Sequence, residues 1–582
     1  MKIKEYIPAL QWLKNYNKTQ LKGDLMAGLT VGVMLIPQGM AYAMIAGLPP
    51  IYGLYASTLP ILIYALFGTS RQLAVGPVAM VSLLTAAGIG VLAEGGTDTY
   101  LTLAISLAFM VGAIQFLLGV LRLGFLVNFL SHPVISGFTS AAALIIGLSQ
   151  LKHLLGIELA RSHHVHEIVL QAIDQAADIH WMTVSIGLAG IAMIVLVRKI
   201  NRSIPGPLLA VVFGILSVYL LGLSDPAWGV KIVGEVPGGL PTLSTPDFSF
   251  GTFQALLPVA LAISLVSFME SIAVAKAIQA RHKNYKVEAN QELIALGLAN
   301  IGGSFLQSYP VTGGFSRTAV NDQAGATTGM ASVISAGLIV LTLLFLTPLF
   351  YYLPNAILAS VIMVAVFGLI DYREAMHLWK TDRSDFWMLV VTFVATLALG
   401  IEQGIAIGVV LSIAWIIYRT SRPHMAQLGK VPGTHFYRSL QRFDQLEERE
   451  DLLIVRFDAQ LYFANISFFK DQLEAWVKEK GPQLQAVIIN ADSINNVDSS
   501  ALHALEEVVT TLQASSLKVY FSGVKGPVRD AMTKARLMDK FGAQHFFMSV
   551  QEAVDFYDQD TGQAPVSRLD AFTLQHNVKL VD

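Results

Sequence analysis

The chain has 582 residues, of which 54% are hydrophobic and 14% are charged, whereas about a quarter of a typical soluble domain is charged. A formal net charge of -2 gives no indication of a nucleic-acid partner, and the absence of cysteine excludes disulfides and thiolate metal sites. The uncharged stretch 101–121 is long enough to cross a bilayer core of about 30 Å. The sequence therefore predicts a multi-pass membrane protein.

Composition also divides the chain. Residues 1–23 form a lysine-bearing amphipathic segment that does not fit a cleavable signal peptide. Beyond Arg422 acidic residues become denser, and no apolar run approaches the length of a span. We therefore predict a cytoplasmic segment at 1–23, a transmembrane transport domain at 24–422, a linker at 423–434, a soluble domain at 435–560 and a tail at 561–582.

Fourteen apolar segments are predicted in the membrane domain, the third and tenth too short to cross alone. Loops on one side carry most of the basic residues, such as Arg122 and Lys276, and loops on the other carry acidic ones, such as Glu94. The positive-inside rule places the basic side, both termini and the soluble domain in the cytoplasm. Seven spans per half is an odd number, so the second half is predicted to be inverted. The segments are 24–45, 51–68, 78–92, 100–121, 132–152, 181–198, 206–223, 254–280, 289–305, 315–326, 328–347, 355–371, 385–400 and 403–419.

The first span contains Pro37, which interrupts the local hydrogen-bond ladder of a helix. Gln38 and Tyr42 lie four residues apart and so share one helix face, where they offer amide donors, a hydroxyl and a ring. The simpler alternative is a kinked helix that makes a polar contact with a neighbouring span.

Two short segments have the same design and occupy corresponding places in the two halves. Residues 74–79 (AVGPVA) and 312–317 (TGGFSR) are glycine-bearing breaks, each followed by a stretch that can restart as a helix. Unwound backbone in a bilayer is tolerated where it lines a cavity or is buried in protein. Facing half-helix N-termini concentrate N–H groups and partial positive charge, and such a pair indicates a transporter's substrate site. Because the second break carries Arg317, the pattern predicts a site for an anion.

Glu270 lies within the eighth span, where an ionised carboxylate is costly without a partner. Arg317 at the second break is the natural partner. We expect protonation of Glu270 to free Arg317 for an anion, which would couple proton and anion binding. A purely structural salt bridge is the alternative.

The soluble part alternates apolar and amphipathic stretches, which is typical of a small α/β domain. The predicted strands are Leu452–Phe457, Ala486–Asn490 and Lys518–Ser522, and the predicted helices are Phe468–Lys480, Ser499–Ala514 and Gly526–Ala535.

Other features indicate no further chemistry. His163, His164 and His166 cluster in an outer loop, where a solvated loop is favoured over a metal site. No GxxxxGK[ST] motif supports ATP-driven transport, and no nucleophile–base arrangement is visible in the membrane domain. We therefore expect a transporter without metal or cofactor rather than an enzyme.

Three segments of the membrane domain resemble the sulfate permease (SulP) family of anion transporters. They are residues 37–55 (PQGMAYAMIAGLPPIYGLY), 290–300 (NQELIALGLAN) and 314–319 (GFSRTA). Residues 497–502 (VDSSAL) resemble the STAS domain that follows the membrane domain in this family. The resemblance covers essentially the whole chain.

The resemblance implies an α-helical membrane protein of 14 spans in a seven-plus-seven inverted repeat, followed by a cytoplasmic α/β STAS domain. Spans 1–4 and 8–11 would form a mobile core domain, spans 5–7 and 12–14 a gate domain, and two copies a homodimer. Ser499 occupies a position that is phosphorylated in related soluble STAS proteins, although transporter STAS domains often lack that use. The implied anion-site residues are Gln38, Tyr42, Val78, Phe315, Ser316 and Arg317, with Glu270 as the proton-coupling acid.

These observations predict a secondary active inorganic anion transporter of the cell membrane, in the first place a proton-coupled sulfate symporter that works by alternating access. Val274 stands where sodium-coupled bicarbonate carriers of the family have a hydroxyl, which argues against sodium. Bicarbonate or dicarboxylate uptake, coupled to sodium or protons, is the alternative within this class. An uncoupled anion channel is a second class, and a signalling scaffold based on the STAS domain is a third.

Overall fold

The computed structural model describes residues 7–14, 16–125, 131–159, 165–200, 206–225, 228–282, 285–368 and 370–562. The chain forms two compact units, divided between Ser412 and Ile413. The first unit is helical, and the second combines a sheet with helices.

Each of the fourteen predicted apolar segments contains a helix, which confirms the α-helical membrane fold. The helices in chain order are α1 (Ala9–Leu13), α2 (Lys18–Ile45), α3 (Ile51–Tyr55), α4 (Leu59–Phe67), α5 (Ala79–Gly90), α6 (Asp98–Val120), α7 (His132–Ser149), α8 (Leu151–Leu155), α9 (Val165–Asp174), α10 (Trp181–Ile200), α11 (Gly206–Leu221), α12 (Phe250–Arg281), α13 (Ala289–Ser304), α14 (Phe315–Gln323), α15 (Met330–Leu341), α16 (Asn355–Phe367), α17 (Tyr372–Thr381), α18 (Arg383–Leu399) and α19 (Ile401–Ser421).

Seven stretches of the described residues are long and apolar enough to cross a membrane by themselves, judged by length and composition. The other predicted spans are shorter or broken; the second, for example, is divided where Ser57 and Thr58 turn their hydroxyls back onto the carbonyls of Gly53 and Tyr55, at 2.6 Å each. The seven long stretches are Lys18–Ile45, Asp98–Val120, His132–Leu155, Trp181–Ile200, Phe250–Arg281, Met330–Phe350 and Asn355–Thr381.

The first span is fixed at its start by a capping box. The Asn17 side chain accepts a hydrogen bond from the Gln20 N–H, and the Gln20 side chain accepts one from the Asn17 N–H. The helix α2 then continues through Pro37 to Ile45, so the face that carries Gln38 and Tyr42 is helical throughout.

The two predicted breaks meet. Val75–Gly76 (β1) and Thr312–Gly313 (β2) pair as a two-stranded antiparallel ribbon, with Val75 opposite Gly313 and Gly76 opposite Thr312. Gly76 has a φ of 150°, a conformation that L side chains rarely adopt. This ribbon brings the starts of α5 and α14 together from the two halves of the unit.

The elements of the second unit are β3 (Met425–Lys430), β4 (Tyr437–Ser439), β5 (Leu452–Phe457), α20 (Ile466–Lys480), β6 (Ala486–Asn490), α21 (Ser499–Ala514), β7 (Lys518–Ser522), α22 (Gly526–Lys534), α23 (Leu537–Phe541), β8 (Phe546–Phe547) and α24 (Val550–Asp560). The strands form a six-stranded sheet in the order β4-β3-β5-β6-β7-β8, in which β3 is antiparallel to its neighbours and β5 to β8 are parallel. The predicted strands and helices are confirmed, with α20 starting two residues earlier and α22 ending one residue earlier.

Helices cover both faces of this sheet, which explains the continuous apolar runs of its central strands. Leu453, Val455 and Ile489 face the core shared with α20 to α23, whereas Leu452 and Ile454 face the core shared with α24.

Half of the segment 423–434, predicted as a linker, is strand. Residues 425–430 form β3, in which Met425, Ala426 and Gln427 stand opposite Phe457, Arg456 and Val455 of β5. The strand MAQLGK has too few β-branched residues to be recognised by propensity, and its neighbour in the sheet supplies the pairing instead.

Candidate functional site

Two half-helices begin at the ribbon of β1 and β2. The N-cap residues are Val78 for α5 and Gly314 for α14, and neither supplies a side-chain cap. The first-turn N–H groups of a helix have no partner within the helix. Both half-helices therefore present free N–H groups and the positive end of a helix dipole at one place, which suits an anion.

Arg317 lies in the first turn of α14 and is 1% exposed. Its Nη1 atom donates to the Pro77 carbonyl at 2.6 Å, while Nε and Nη2 have no hydrogen-bond partner among the described residues. A Cβ atom at Gly314 would lie 3.1 Å from Nη2, and one at Gly76 would lie 3.4 Å from it. The guanidinium thus sits close against the backbone of both breaks, and glycine makes the room for it.

Gln38 and Tyr42 of α2 are both buried, at 5% and 4% exposure. The Gln38 Oε1 atom has no hydrogen-bond partner among the described residues. Tyr42 lies near enough to interact electrostatically with both Arg317 and Glu270. The face predicted from the four-residue spacing therefore points toward the ribbon.

The remaining predicted ligands differ in exposure. Val78, the N-cap of α5, is 9% exposed and lies near Gly314, where an added Cβ would be 3.5 Å from its Cγ1. Phe315 is 49% exposed, and Ser316 is exposed as well. These two residues mark the open side of the cluster, and Arg317 its closed side.

Glu270 does not form the predicted salt bridge with Arg317. It has no ion pair within 4.0 Å among the described residues, and its buried Oε2 atom lacks a hydrogen-bond partner there. The reason is that the guanidinium is turned to the Pro77 carbonyl. The two charges still interact electrostatically, so each lies in the other's field without being neutralised by contact.

One hydroxyl and one carbonyl of α12 hold the second break. The Ser271 hydroxyl accepts from the Gly313 N–H at 2.9 Å and lies 2.7 Å from the Thr312 hydroxyl. Thr312 in turn donates to the Ser267 carbonyl at 2.7 Å. Ser267 and Ser271 are one helical turn apart, so both contacts come from one face of α12.

A buried amide pair continues this support. The Asn300 side chain of α13 donates to the Val311 carbonyl at 3.1 Å and accepts from the Val311 N–H at 2.8 Å. It also donates to Gln115 of α6 at 3.2 Å, and Gln115 donates to the Ser267 hydroxyl at 2.7 Å. Gln115 is the only amide residue of α6, whereas Asn300 is one of three in α13. An amide in an apolar stretch was the available signal, although it does not reveal its partner.

The two breaks also bind each other directly. The Gly314 N–H donates to the Ala74 carbonyl at 3.0 Å, and the Ala74 N–H donates to the Thr318 hydroxyl at 3.0 Å. Ser82 of α5 lies 3.2 Å from the Tyr309 hydroxyl. The geometry of the half-helix starts is thus set by hydrogen bonds from several elements.

Other predicted features lie elsewhere. His163 and His164 are outside the described residues, as is the side chain of His166. Within the described ranges no group of three or more His, Cys, Asp or Glu residues could hold a metal ion. Ser499 is the first residue of α21, which Asp498 caps by accepting from the Ala501 N–H at 2.8 Å. Val274 is buried, at 4% exposure.

Comparison with known proteins gives consistent results. A sequence model described as "Sulfate permease family" matches residues 21–392, and one described as "STAS domain" matches 445–553. The chain is 40% identical over 565 residues to "Sulfate transporter 4.1, chloroplastic" of Arabidopsis thaliana, covering 94% of this chain and 82% of that protein. It is 36% identical over 581 residues to "High affinity sulfate transporter 2" of Stylosanthes hamata, covering 96% and 87%. The solved structure of the murine Solute Carrier 26 family member A9 anion transporter, in the inward-facing state, matches with a TM-score of 0.87 and 26% identity, covering 96% of this chain and 94% of that one.

Proposed function

We propose that this chain, which belongs to the sulfate permease family of membrane transporters, carries sulfate by secondary active transport. The observation that carries the proposal is the state of Arg317, a guanidinium at 1% exposure with two nitrogens unpartnered among the described residues. A buried charge of this kind is costly without a counter-ion. The names of the plant relatives supply sulfate as the anion.

In the proposed complex, the sulfate oxygens accept hydrogen bonds from Arg317 and from the first-turn N–H groups that follow Val78 and Gly314. Gln38 and Tyr42 donate from the opposite face. Phe315 and Ser316 lie at the exposed side, where the anion enters and leaves. A dianion suits this set because it consists of donors and one full positive charge.

Glu270 is the proposed proton-coupling acid. Its negative charge lies in the field of Arg317 without direct contact, so the ionised carboxylate disfavours an anion at the same place. Protonation removes that opposition, and proton and sulfate are therefore bound together. A valine at position 274 offers no oxygen ligand beside Glu270, which disfavours sodium in the same role.

The setting of the transporter is also proposed. Alternating access would move the core domain, which carries both half-helices, against the gate domain. Loop charges favour cytoplasmic termini and a cytoplasmic STAS domain, and likeness to the family favours a homodimer. A cell membrane is proposed, and since one relative is named chloroplastic, localisation in an organellar membrane is the alternative outcome.

Uptake into proteoliposomes tests this function. Purified protein is reconstituted, and labelled sulfate, bicarbonate and succinate are supplied with an inward proton gradient, an inward sodium gradient or neither. We expect sulfate uptake that the proton gradient accelerates and sodium does not. Sodium-dependent bicarbonate uptake, or sulfate flux that neither gradient changes, would contradict the proposal. Vesicles with the Arg317→Ala variant measure the leakage.

A further inference from the structure

Two fully buried carboxylates lie in the membrane unit outside the proposed anion site. Asp24 of α2 and Glu292 of α13 both have 0% exposure. Neither forms an ion pair with a Lys, Arg or His within 4.0 Å among the described residues. A carboxylate buried without a cation must be stabilised by hydrogen-bond donors, and both residues have a full set.

Glu292 binds the loop that leads into the first break. Its Oε1 atom accepts from the Thr69 N–H at 2.7 Å, the Thr69 hydroxyl at 2.5 Å and the Ser70 N–H at 3.0 Å. Its Oε2 atom accepts from the Tyr64 hydroxyl at 2.6 Å. One side chain of α13 thus fixes the end of α4 and the chain that runs on to β1.

Asp24 repeats this pattern at the loop that follows the second half-helix. Its Oδ1 atom accepts from the Thr327 N–H at 2.7 Å, the Thr327 hydroxyl at 3.2 Å and the Thr328 N–H at 3.0 Å. Its Oδ2 atom accepts from the Thr328 hydroxyl at 2.5 Å. In both cases one oxygen takes the N–H and hydroxyl of a threonine together with the next N–H, and the other oxygen takes a hydroxyl.

Close backbone packing seats the same loop against α2. A Cβ at Gly23 would lie 2.5 Å from the Gly325 carbonyl oxygen, and a Cβ at Gly28 would lie 2.5 Å from that of Ala331. Because both neighbours are backbone, any side chain at these positions would push α2 away. The Asp24 contact is therefore part of a rigid junction between the first span and residues 325–331.

Gln72 connects the two clamped loops to each other. Its side chain donates to the Ala326 carbonyl at 3.0 Å, and its own carbonyl accepts from the Asn321 amide of α14 at 2.8 Å. The chain before the first break is thus joined to the second half-helix and to the chain after it.

We propose that Asp24 and Glu292 are positioning residues for the anion site. Asp24 joins the span that carries Gln38 and Tyr42 to the loop that follows the half-helix of Arg317, and Glu292 fixes the approach to Val78. Together they keep donors from both halves of the chain in one geometry while the core domain moves. The consequence for sulfate affinity rests on the proposed function; the rigidity of the two breaks does not.

Alanine variants of the full chain test the role in binding. In Asp24→Ala and Glu292→Ala, buried donors lose their acceptor, and we expect sulfate affinity, measured by calorimetry on monodisperse protein, to fall about tenfold or more. Asp24→Asn should bind nearly as the parent protein does, because its oxygen keeps the three donors of Oδ1 and its amide can donate to the rotated Thr328 hydroxyl. Glu292→Gln should be rescued in the same way through Tyr64.

A matched control separates positioning from general stability. Ser360 is buried and donates to the Gly187 carbonyl at 2.7 Å, between α16 and α10. Ser360→Ala should lower the melting temperature without changing sulfate affinity. If the Asp24 and Glu292 variants behave like this control, with reduced stability and the parent affinity, the proposal is wrong.

Hydrogen exchange, followed by mass spectrometry, gives a readout that does not need a substrate. In Asp24→Ala we expect faster exchange at 324–330 and also at 312–317, while Asp24→Asn retains the protection of the parent chain. Thr328→Val, which removes one donor, should give a smaller change of the same kind if the alanine variant does not fold. Faster exchange confined to 324–330 would overturn the proposal. Failure of the parent chain to bind sulfate would instead refute the proposed function, and exchange alone would then decide the role of the carboxylates.

Discussion

Two arginines, Arg449 in the soluble unit and Arg317 in the membrane unit, have opposite surroundings. Arg449 of the soluble unit donates to Asp451 at 2.9 and 2.7 Å and to Asp558 at 2.6 Å, and its guanidinium carbon lies 5.3 Å from the centre of the Tyr557 ring. Arg317 of the membrane unit is the more deeply buried of the two, yet its one described hydrogen bond goes to a carbonyl.

This difference is the one we expect between an arginine that stabilises a fold and one that, as proposed above, binds a ligand. Hydrogen bonds that Arg449 donates to the Asp451 carboxylate raise the pKa of Arg449, so the protein has already supplied its anions. Around Arg317 the protein supplies N–H dipoles and a distant carboxylate, which leave the charge uncompensated. Preorganised binding sites store this kind of unfavourable energy until the ligand arrives.

Replacement of Arg317 should have the largest effect, and it tests directly whether this arginine, unlike Arg449, binds the anion. Arg317→Ala removes the full positive charge, so we expect sulfate binding to disappear from calorimetric titration. Because no ion pair is lost, the melting temperature without sulfate should hold or rise. Arg317→Lys should recover part of the affinity, since it retains the charge but not the planar fork. Unchanged affinity in Arg317→Ala would refute the assignment of the site.

Replacement of Glu270 should separate coupling from binding. Glu270→Gln resembles the permanently protonated acid, and we expect sulfate to bind at least as well as to the parent protein. Accumulation driven by a proton gradient should fail, whereas exchange of internal for external sulfate should survive because it requires only the loaded carrier to move. Both fluxes are measured on the same vesicles. Full proton-driven accumulation by this variant would place the coupling acid elsewhere.

Replacement of Arg449 should affect stability rather than transport. In Arg449→Ala the buried Asp558 and the partly buried Asp451 lose their charged donor, and we expect the soluble unit to lose about 1–3 kcal/mol of stability. Hydrogen exchange at 486–490, in the centre of the sheet, should speed up accordingly. Sulfate affinity should stay the same, and a clear loss of affinity would show that the two arginines are not separate in function.

The sequence predicted the parts of this comparison that depend on local pattern. Long apolar runs were sufficient to find the spans, and the glycine-bearing breaks drew attention to Arg317. The grouping of Gln38 and Tyr42 with Arg317 was implied by the family resemblance and not by the pattern alone. Uninterrupted apolar runs located β5, β6 and β7, because a strand covered on both faces leaves a clear signal. Strand β3 left none, since its pairing with β5 is a tertiary effect.

Partners of polar residues were much harder to predict. Glu270 and Arg317 are the obvious opposite charges of the membrane unit, yet the guanidinium binds a carbonyl instead, and a sequence contains no information on which way a side chain turns. Asp24 and Glu292 likewise gave no sign of being buried, because their donors are loop N–H groups and hydroxyls that any sequence offers. Hydrogen bonds from backbone N–H groups leave no pattern in an amino-acid sequence, and here they help to determine the geometry of the proposed site.

The smallest expected effect concerns the pH dependence of the soluble unit. The hydrogen bonds from Arg449 hold the pKa of Asp451 below its ordinary value of 3.8, against the effect of burial. A carboxylate with a lowered pKa in the folded state adds stability above its unfolded pKa, and this stability is lost as the pH falls through the folded value. We therefore expect the calorimetric melting temperature of the soluble unit to fall below about pH 4, and to fall less in Arg449→Gln.

Asp458 is an internal control. Burial raises its pKa, hydrogen bonds from Arg456 and His424 outweigh that effect, and its contribution to stability is the same in both proteins. Because Asp451 is 23% exposed, added salt should reduce the difference, and parallel pH curves at low salt would show that Arg449 does not stabilise the ionised form of Asp451.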